Sequence, residues 1–288
     1  MIKRINKFLK KHSFKEIKKI IDYQYGLGLF ERTLSTNWFN PILTIYLNFR
    51  SFPIKQAIHL PLFVYGHPRI YGLSGEMIIE GKIKTGMIKF NHVKRGAPNN
   101  MSVQSEIYNN GIIKFQGNGY IGTGCKINIG HNGTLFIGKD FKIADMCNIG
   151  VFSYLCIGEY TRIAHRCQIL DANYHYVANF NKRIIPKWHS PIIIGKGVWV
   201  CNSTTITGGS IIPNYCIIAS NSLVSKDFSS ASENSLIGGI PAKLIASNFR
   251  RVENPQKERI ISKFYKENPD GIYHIPEEDS INDYSIKD

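Results

Sequence analysis

Residues 171–190 read DANYHYVANFNKRIIPKWHS and carry two imidazoles, His175 and His189. Imidazole changes protonation near neutral pH, so either could accept a proton from a hydroxyl as that hydroxyl attacks an electrophile. His189 stands beside Trp188, Ser190 and Pro191, a context that suggests return to regular structure, and it ranks behind His175. A working imidazole needs a partner for its second nitrogen. Asp171, four residues before His175, is one candidate, and a backbone carbonyl would serve equally well. No metal site is evident: His165 and His175 are ten residues apart and His131 lies far from both.

A loop can hold an imidazole in place only if it leaves a rigid scaffold. The flanking sequence supplies one. Ile194, Val200, Ile206, Ile212, Ile218 and Val224 recur every six residues, with mostly Gly, Ser, Thr, Asn and Lys between them. A helix would repeat its apolar positions every three or four residues and a half-buried strand every two. Period six fits a coil with three short strands per turn, each strand sending one aliphatic residue inward. Looser sets precede it at Ile121 and Ile127, at Ile137, Ile143 and Ile149, and at Ile157, Ile163 and Ile169, with glycines where sharp corners are needed. The expected fold is all-β: a left-handed parallel β-helix of roughly six or seven turns between residues 121 and 246, on the order of 30 Å tall. The hexads stop after Ile169 and resume at Ile194, so residues 170–190 are an excursion from the coil.

The chain of 288 residues divides into a helical and extended lead-in (1–75), the β-helix (76–246) and a C-terminal helix with an acidic tail (247–288). Residues 1–25 place Ile2, Ile5, Leu9, Ile17, Ile20 and Ile21 in an apolar stripe among lysines. The preferred reading is a helix packed on its own body or a neighbouring subunit; attachment to an anionic membrane surface is the alternative. Prolines 41, 53, 61 and 68 point to an extended run over 40–75, and residues 76–120 to early, irregular turns. A helix is expected over 254–267 and a solvated or loosely docked tail after it. The net charge is +15, and residues 1–20 hold eight Lys or Arg against Glu16 alone. A basic surface suits nucleic acid, anionic membrane or phosphorylated small molecules, and charge alone does not choose. Arg50 and Lys55 interrupt the most apolar stretch of the N-terminal third and no secretion signal is evident, which points to the cytoplasm. Six cysteines without a C-x-x-C pair read as reduced, packed thiols.

GVWVCNSTTITGGSIIPNYCIIASNSLVSKDF, then GGIPAKLI, with DANYH upstream, resembles the hexapeptide-repeat acyltransferases, especially sugar O-acetyltransferases of the maltose, galactoside and surface-polysaccharide type, most clearly over residues 137–246. The resemblance implies an acetyl-CoA donor, no metal, and a homotrimer with its donor site in the groove between two coils. By position in DANYH, His175 matches the family's general base. Asp145 aligns with an acceptor-binding Asn, an inexact match, and Asn173 is expected beside the acceptor. Trp199 and Asn202 match positions along the pantetheine arm, Ser220, Ser225 and Lys226 contacts farther along, and Lys243 a basic residue near the CoA phosphates. Cys201 replaces the usual small residue before Asn202. The implied reaction is acetyl transfer to a sugar hydroxyl, with a sugar, oligosaccharide or lipid-linked glycan as acceptor, no nucleic-acid partner, and a cytoplasmic location that extends to the inner face of the membrane. N-acetylation of an amino sugar nucleotide and acetylation of a streptogramin-type xenobiotic are the alternatives. A non-catalytic or ice-binding coil would show longer flat Thr or Ser rows than Thr204, Thr205 and Thr207 provide.

Overall fold

The computed structural model describes residues 38–93 and 103–286. The helix expected over 1–25 and the polar insertion Arg95–Asn100 lie outside the described residues. The coil is a left-handed parallel β-helix with three sheets as its faces. Each strand pairs in parallel with the strand one turn away, so equivalent residues stack in columns. On the first face the inward column runs Val64, Phe90, Ile121, Ile143, Ile163, Val200, Ile218 and Ile237. On the second it runs Ile70, Ile107, Ile127, Ile149, Ile169, Ile206 and Val224. On the third it runs Ile79, Phe115, Ile137, Ile157, Ile194 and Ile212. The six hexad positions therefore visit the three faces in rotation for two turns, and all six side chains are buried. β-Branched residues dominate because a pleated, fully enclosed row suits their stiff side chains.

Corners are tight. A Cβ on Gly158 would sit 2.5 Å from backbone atoms of Gly195 one turn above, so only a bare Cα fits there. At the edge between the first and second faces Cys125, Cys147 and Cys167 are buried, their thiols donating to Ala144, Ala164 and Cys201 carbonyl oxygens. All six cysteines are free.

The coil starts earlier than its hexads suggest. Leu62–Val64 is already a paired strand, and Glu76–Ile79, Ile88–Phe90, Glu106–Asn109 and Ile112–Phe115 are strands in register with the turns above. The proline-rich segment expected to be extended is instead helical over Pro41–Ser51 (α1) and Ile54–Ala57 (α2). Pro41 occupies the first helical position, where its missing N–H costs nothing, and the Asn40 side chain accepts from Leu43 N. At the other end, Leu236–Gly239 turns back as antiparallel Ala242–Ala246, which closes the first face. Helix α3 (Pro255–Glu267) follows, capped by Asn254. The acidic tail returns to the body: Tyr284 is buried, its hydroxyl donates to Asp279 (2.7 Å), and its carbonyl accepts from Glu253 N (2.8 Å). Arg162, buried on the first face, pairs with Asp140 of the turn below (2.7 Å) and with Glu253 (3.2 Å), which ties the C-terminal segment to the coil.

Candidate active site

The excursion leaves the second face after Gln168–Leu170 and joins the third at Ile192–Ile194. It is a hairpin with a rigid neck. Ala172 bridges His189, Asn173 N donates to Trp188 O (2.9 Å), and Ser190 N donates to Asp171 O (2.8 Å). The buried Asp171 carboxylate anchors this neck to the turn below, accepting from Phe152 N (2.8 Å) and Ser153 N (2.7 Å). Burial raises its pKa, against the opposing pull of those donors and of His189. Phe152 packs its ring against both Tyr174 (5.0 Å) and Trp188 (5.3 Å). A second bridge, Asn179 to Ile184, closes the tip. Tyr176, Val177, Phe180, Ile184 and Ile185 make the distal arm apolar and exposed.

His175 sits just past the neck, exposed, and makes no side-chain hydrogen bond to the described residues. Tyr174 before it adopts φ 61°, a left-handed conformation that is costly for an aromatic residue and turns the chain sharply ahead of the imidazole. Beneath Tyr174 a groove of about 240 Å³ opens on the second face, lined by Tyr71, Tyr108, Asn128, Asn148 and Gly150. No hydrogen bond joins Asp171 to His175; its carboxylate instead accepts from Phe152 N and Ser153 N, which fixes the neck of the loop. Asp171→Ala leaves two sheltered N–H groups without a partner and is expected to cost about 2–3 kcal/mol, measurable by denaturant unfolding, with activity lowered through a loosened neck.

The remaining expected site residues divide between two edges of the prism. Asn173, Ser225 and Lys226 share the second–third edge with His175, and Ser225 and Lys226 stand two turns above the loop root, about 10 Å along the axis. Lys226 is exposed, its ammonium 5.0 Å from the centre of the Phe228 ring. Asn202 and Ser220 lie on the first–second edge, where Ser220 Oγ donates to Asn202 Oδ1 (2.8 Å). Asp145 is on that same edge two turns below Asn202, buried, with Oδ1 accepting from Thr123 N (2.8 Å). Trp199 is on the first face beside this edge, and Lys243 is exposed on Ala242–Ala246 above it. One chain thus keeps the loop edge and the Asn202 edge apart, with the second face between them. Sequence reasoning did not anticipate Arg251, whose guanidinium lies 5.1 Å from the Trp199 ring centre while pairing with Glu253 (3.0 Å). Nothing in its local sequence marks Arg251, since the C-terminal segment reaches the first face only through the fold. Among the described residues no group of three or more His, Cys, Asp or Glu could hold a metal ion, and no helix is long and apolar enough to cross a membrane.

No family model matches the chain. Individual proteins do. It is 31% identical over 147 residues, 48% of this chain and 74% of the relative, to WbbJ of Escherichia coli K12, named as a lipopolysaccharide biosynthesis O-acetyl transferase. It is 31% identical over 164 residues, 57% of this chain and 68% of the relative, to an uncharacterized 24.8 kDa protein in the cps region of Klebsiella pneumoniae. Among solved structures, a variant of AntD, an N-acyltransferase from Bacillus cereus, aligns at 14% identity over 80% of this chain and 98% of that one, with a TM-score of 0.43. A three-faced coil with inward hexads, a histidine-bearing excursion at one edge, and 31% identity across three quarters of an acetyl transferase place this chain in the hexapeptide-repeat acyltransferase family.

Proposed function

We propose that the protein is an O-acetyltransferase that moves an acetyl group from acetyl-CoA to a sugar hydroxyl of a surface polysaccharide or its precursor. His175 carries the proposal: an exposed imidazole on a loop whose neck is fixed by Asp171 and whose arm is apolar. In the proposed step His175 takes the hydroxyl proton as the sugar oxygen attacks the thioester carbonyl carbon. The tetrahedral intermediate then collapses, breaking the C–S bond and releasing CoA, which recovers a proton from the imidazolium. With the Asp171 carboxylate accepting from Phe152 and Ser153 and making no bond to the ring, a backbone carbonyl is the favoured partner for the second imidazole nitrogen.

The separation of the two edges supports a homotrimer. If the loop edge of one copy meets the Asn202 edge of the next, His175, Ser225 and Lys226 face Trp199, Asn202 and Ser220 across a shared cleft, and three equivalent clefts form. Lys243 and Arg251 add positive charge above that cleft for the CoA phosphates. Relatives named for lipopolysaccharide biosynthesis and for a cps region favour a glycan acceptor. Mass spectrometry of acetyl-CoA consumption against sugars, oligosaccharides and amino sugar nucleotides tests this, with an expected sedimentation mass three times that of the chain. Transfer only to the amine of a sugar nucleotide would replace O-acetylation with N-acetylation.

A further inference from the structure

The open end of a β-helix presents an edge strand whose backbone groups need partners. Here α1 supplies them. Val64 N donates to Thr44 Oγ1 (3.0 Å) and Leu62 N to Asn48 Oδ1 (3.2 Å), while Leu62 O accepts from Asn48 Nδ2 (2.6 Å) and Val64 O from Asn40 N (2.9 Å). The polar stripe Thr44, Asn48 and Ser51 is therefore turned into the fold and buried. Amphipathic helices ordinarily do the reverse. The outward stripe, Ile42, Ile45, Tyr46 and Phe49, follows the spacing i, i+3, i+4, i+7 and is 49–77% exposed. Ile54 and Ile58 extend it, and Trp38 and Phe39 flank it, also exposed. Capping the strand explains the inward polar face; among the described residues nothing covers the outward apolar one.

Charge identifies the occupant. Arg50 and Lys55 are exposed beside the stripe, and residues 32–75 contain no Asp or Glu. Residues 1–75 hold twelve Lys or Arg and three Asp or Glu, so this end carries +9 of the net +15. The 37 residues before Trp38, which include the basic and apolar pattern of 1–25, enter at the rim of this same patch. We infer that the N-terminal end of the prism docks on an anionic lipid bilayer, with Ile42, Ile45, Tyr46 and Phe49 entering the headgroup boundary and the cations facing lipid phosphates. Aromatic and aliphatic side chains ringed by Lys and Arg are what an anionic interface retains. On the second face four strand steps separate Arg69–Tyr71 from Gln168–Leu170, which holds the loop root about 19 Å above this end. A glycan anchored in the same membrane would then need to extend roughly 20 Å to reach His175, a consequence that rests on the proposed acetyl transfer, whereas the docking itself does not.

The full chain sedimented with phosphatidylglycerol/phosphatidylcholine vesicles tests the docking without any catalytic readout. Binding is expected to phosphatidylglycerol vesicles, with loss on pure phosphatidylcholine and in about 1 M salt, where screening shortens to about 3 Å. The double variant Ile45→Asp/Phe49→Asp is expected to bind about tenfold or more weakly, with unchanged melting temperature, oligomer mass and acetyl-CoA consumption on a soluble acceptor. Wild-type binding by that variant would leave the basic first residues as the sole contact and overturn the proposal. No vesicle binding by the wild type would also overturn it, with residues 1–37 covering the patch, as would a changed oligomer mass in the variant, which would assign the face to a second copy.

Discussion

His175→Ala is expected to lower turnover by about 10²-fold or more while leaving the affinity for acetyl-CoA near that of the wild type. The effect should be catalytic and not structural. The imidazole is exposed and makes no hydrogen bond to the described residues, so removing it opens no cavity and leaves no buried donor unpaired. The loop keeps its shape because its restraints lie elsewhere: in the Asp171 carboxylate on Phe152 and Ser153, in the bridge between Ala172 and His189, and in the Phe152, Tyr174 and Trp188 rings. His189→Ala is the informative comparison. His189 is part of the neck and stacks edge-on against Trp188 at 5.2 Å, so its loss should appear first in stability and only secondarily in turnover. Steady-state kinetics with separate kcat and KM, beside thermal melting, distinguish the two. Turnover like the wild type in His175→Ala would remove it from the mechanism.

The later turns are legible in the sequence because each inward position carries an aliphatic residue and each face spends six residues. Nothing is inserted between Ile194 and Val224 except corners of constant length. The early turns obey the same geometry with different side chains. Val64, Phe90 and Ile121 are consecutive in the first-face column, yet the segments between them are longer than the eighteen residues of an ideal turn, so period six dissolves into noise. Helix α1 was obscured by its proline, which counts against a helix everywhere except at the first position, where it stands. Asp171 shows a different limit. Four residues from His175 it looks like a catalytic partner, but in a coil the nearest neighbours in space are one turn away. The donors it meets, Phe152 N and Ser153 N, belong to the preceding corner. The division of the expected donor and base residues between two edges is likewise invisible until strands are assigned to faces. Once they are assigned, the two groups fall on edges that the proposed homotrimer would bring together.

Ile206→Asp is expected to unfold the coil or make it insoluble. Ile206 is wholly enclosed, stacked between Ile169 and Val224 in the second-face column, with both neighbours also at zero exposure. An ionised carboxylate there has no donor to meet, and a protonated one still replaces packed methyl groups with an unpaired polar group, a cost of several kcal/mol against a total stability of about 5–15 kcal/mol. A solenoid turn touches only the turns above and below it, so the damage spreads along the axis. Thr207, the next residue, pairs with Leu170 at the loop root, and the segment carrying His175 is released with it. Gln168→Asp is the control. It adds the same carboxylate one turn below but on the outward, exposed side of its strand, where water solvates it and the expected change is within about 0.5 kcal/mol. Because successive strand residues point to opposite sides, a shift of register by one residue would exchange the two outcomes. Far-UV circular dichroism on heating therefore reads the register directly: collapse of the first variant and persistence of the second places Ile206 in the column that carries the loop.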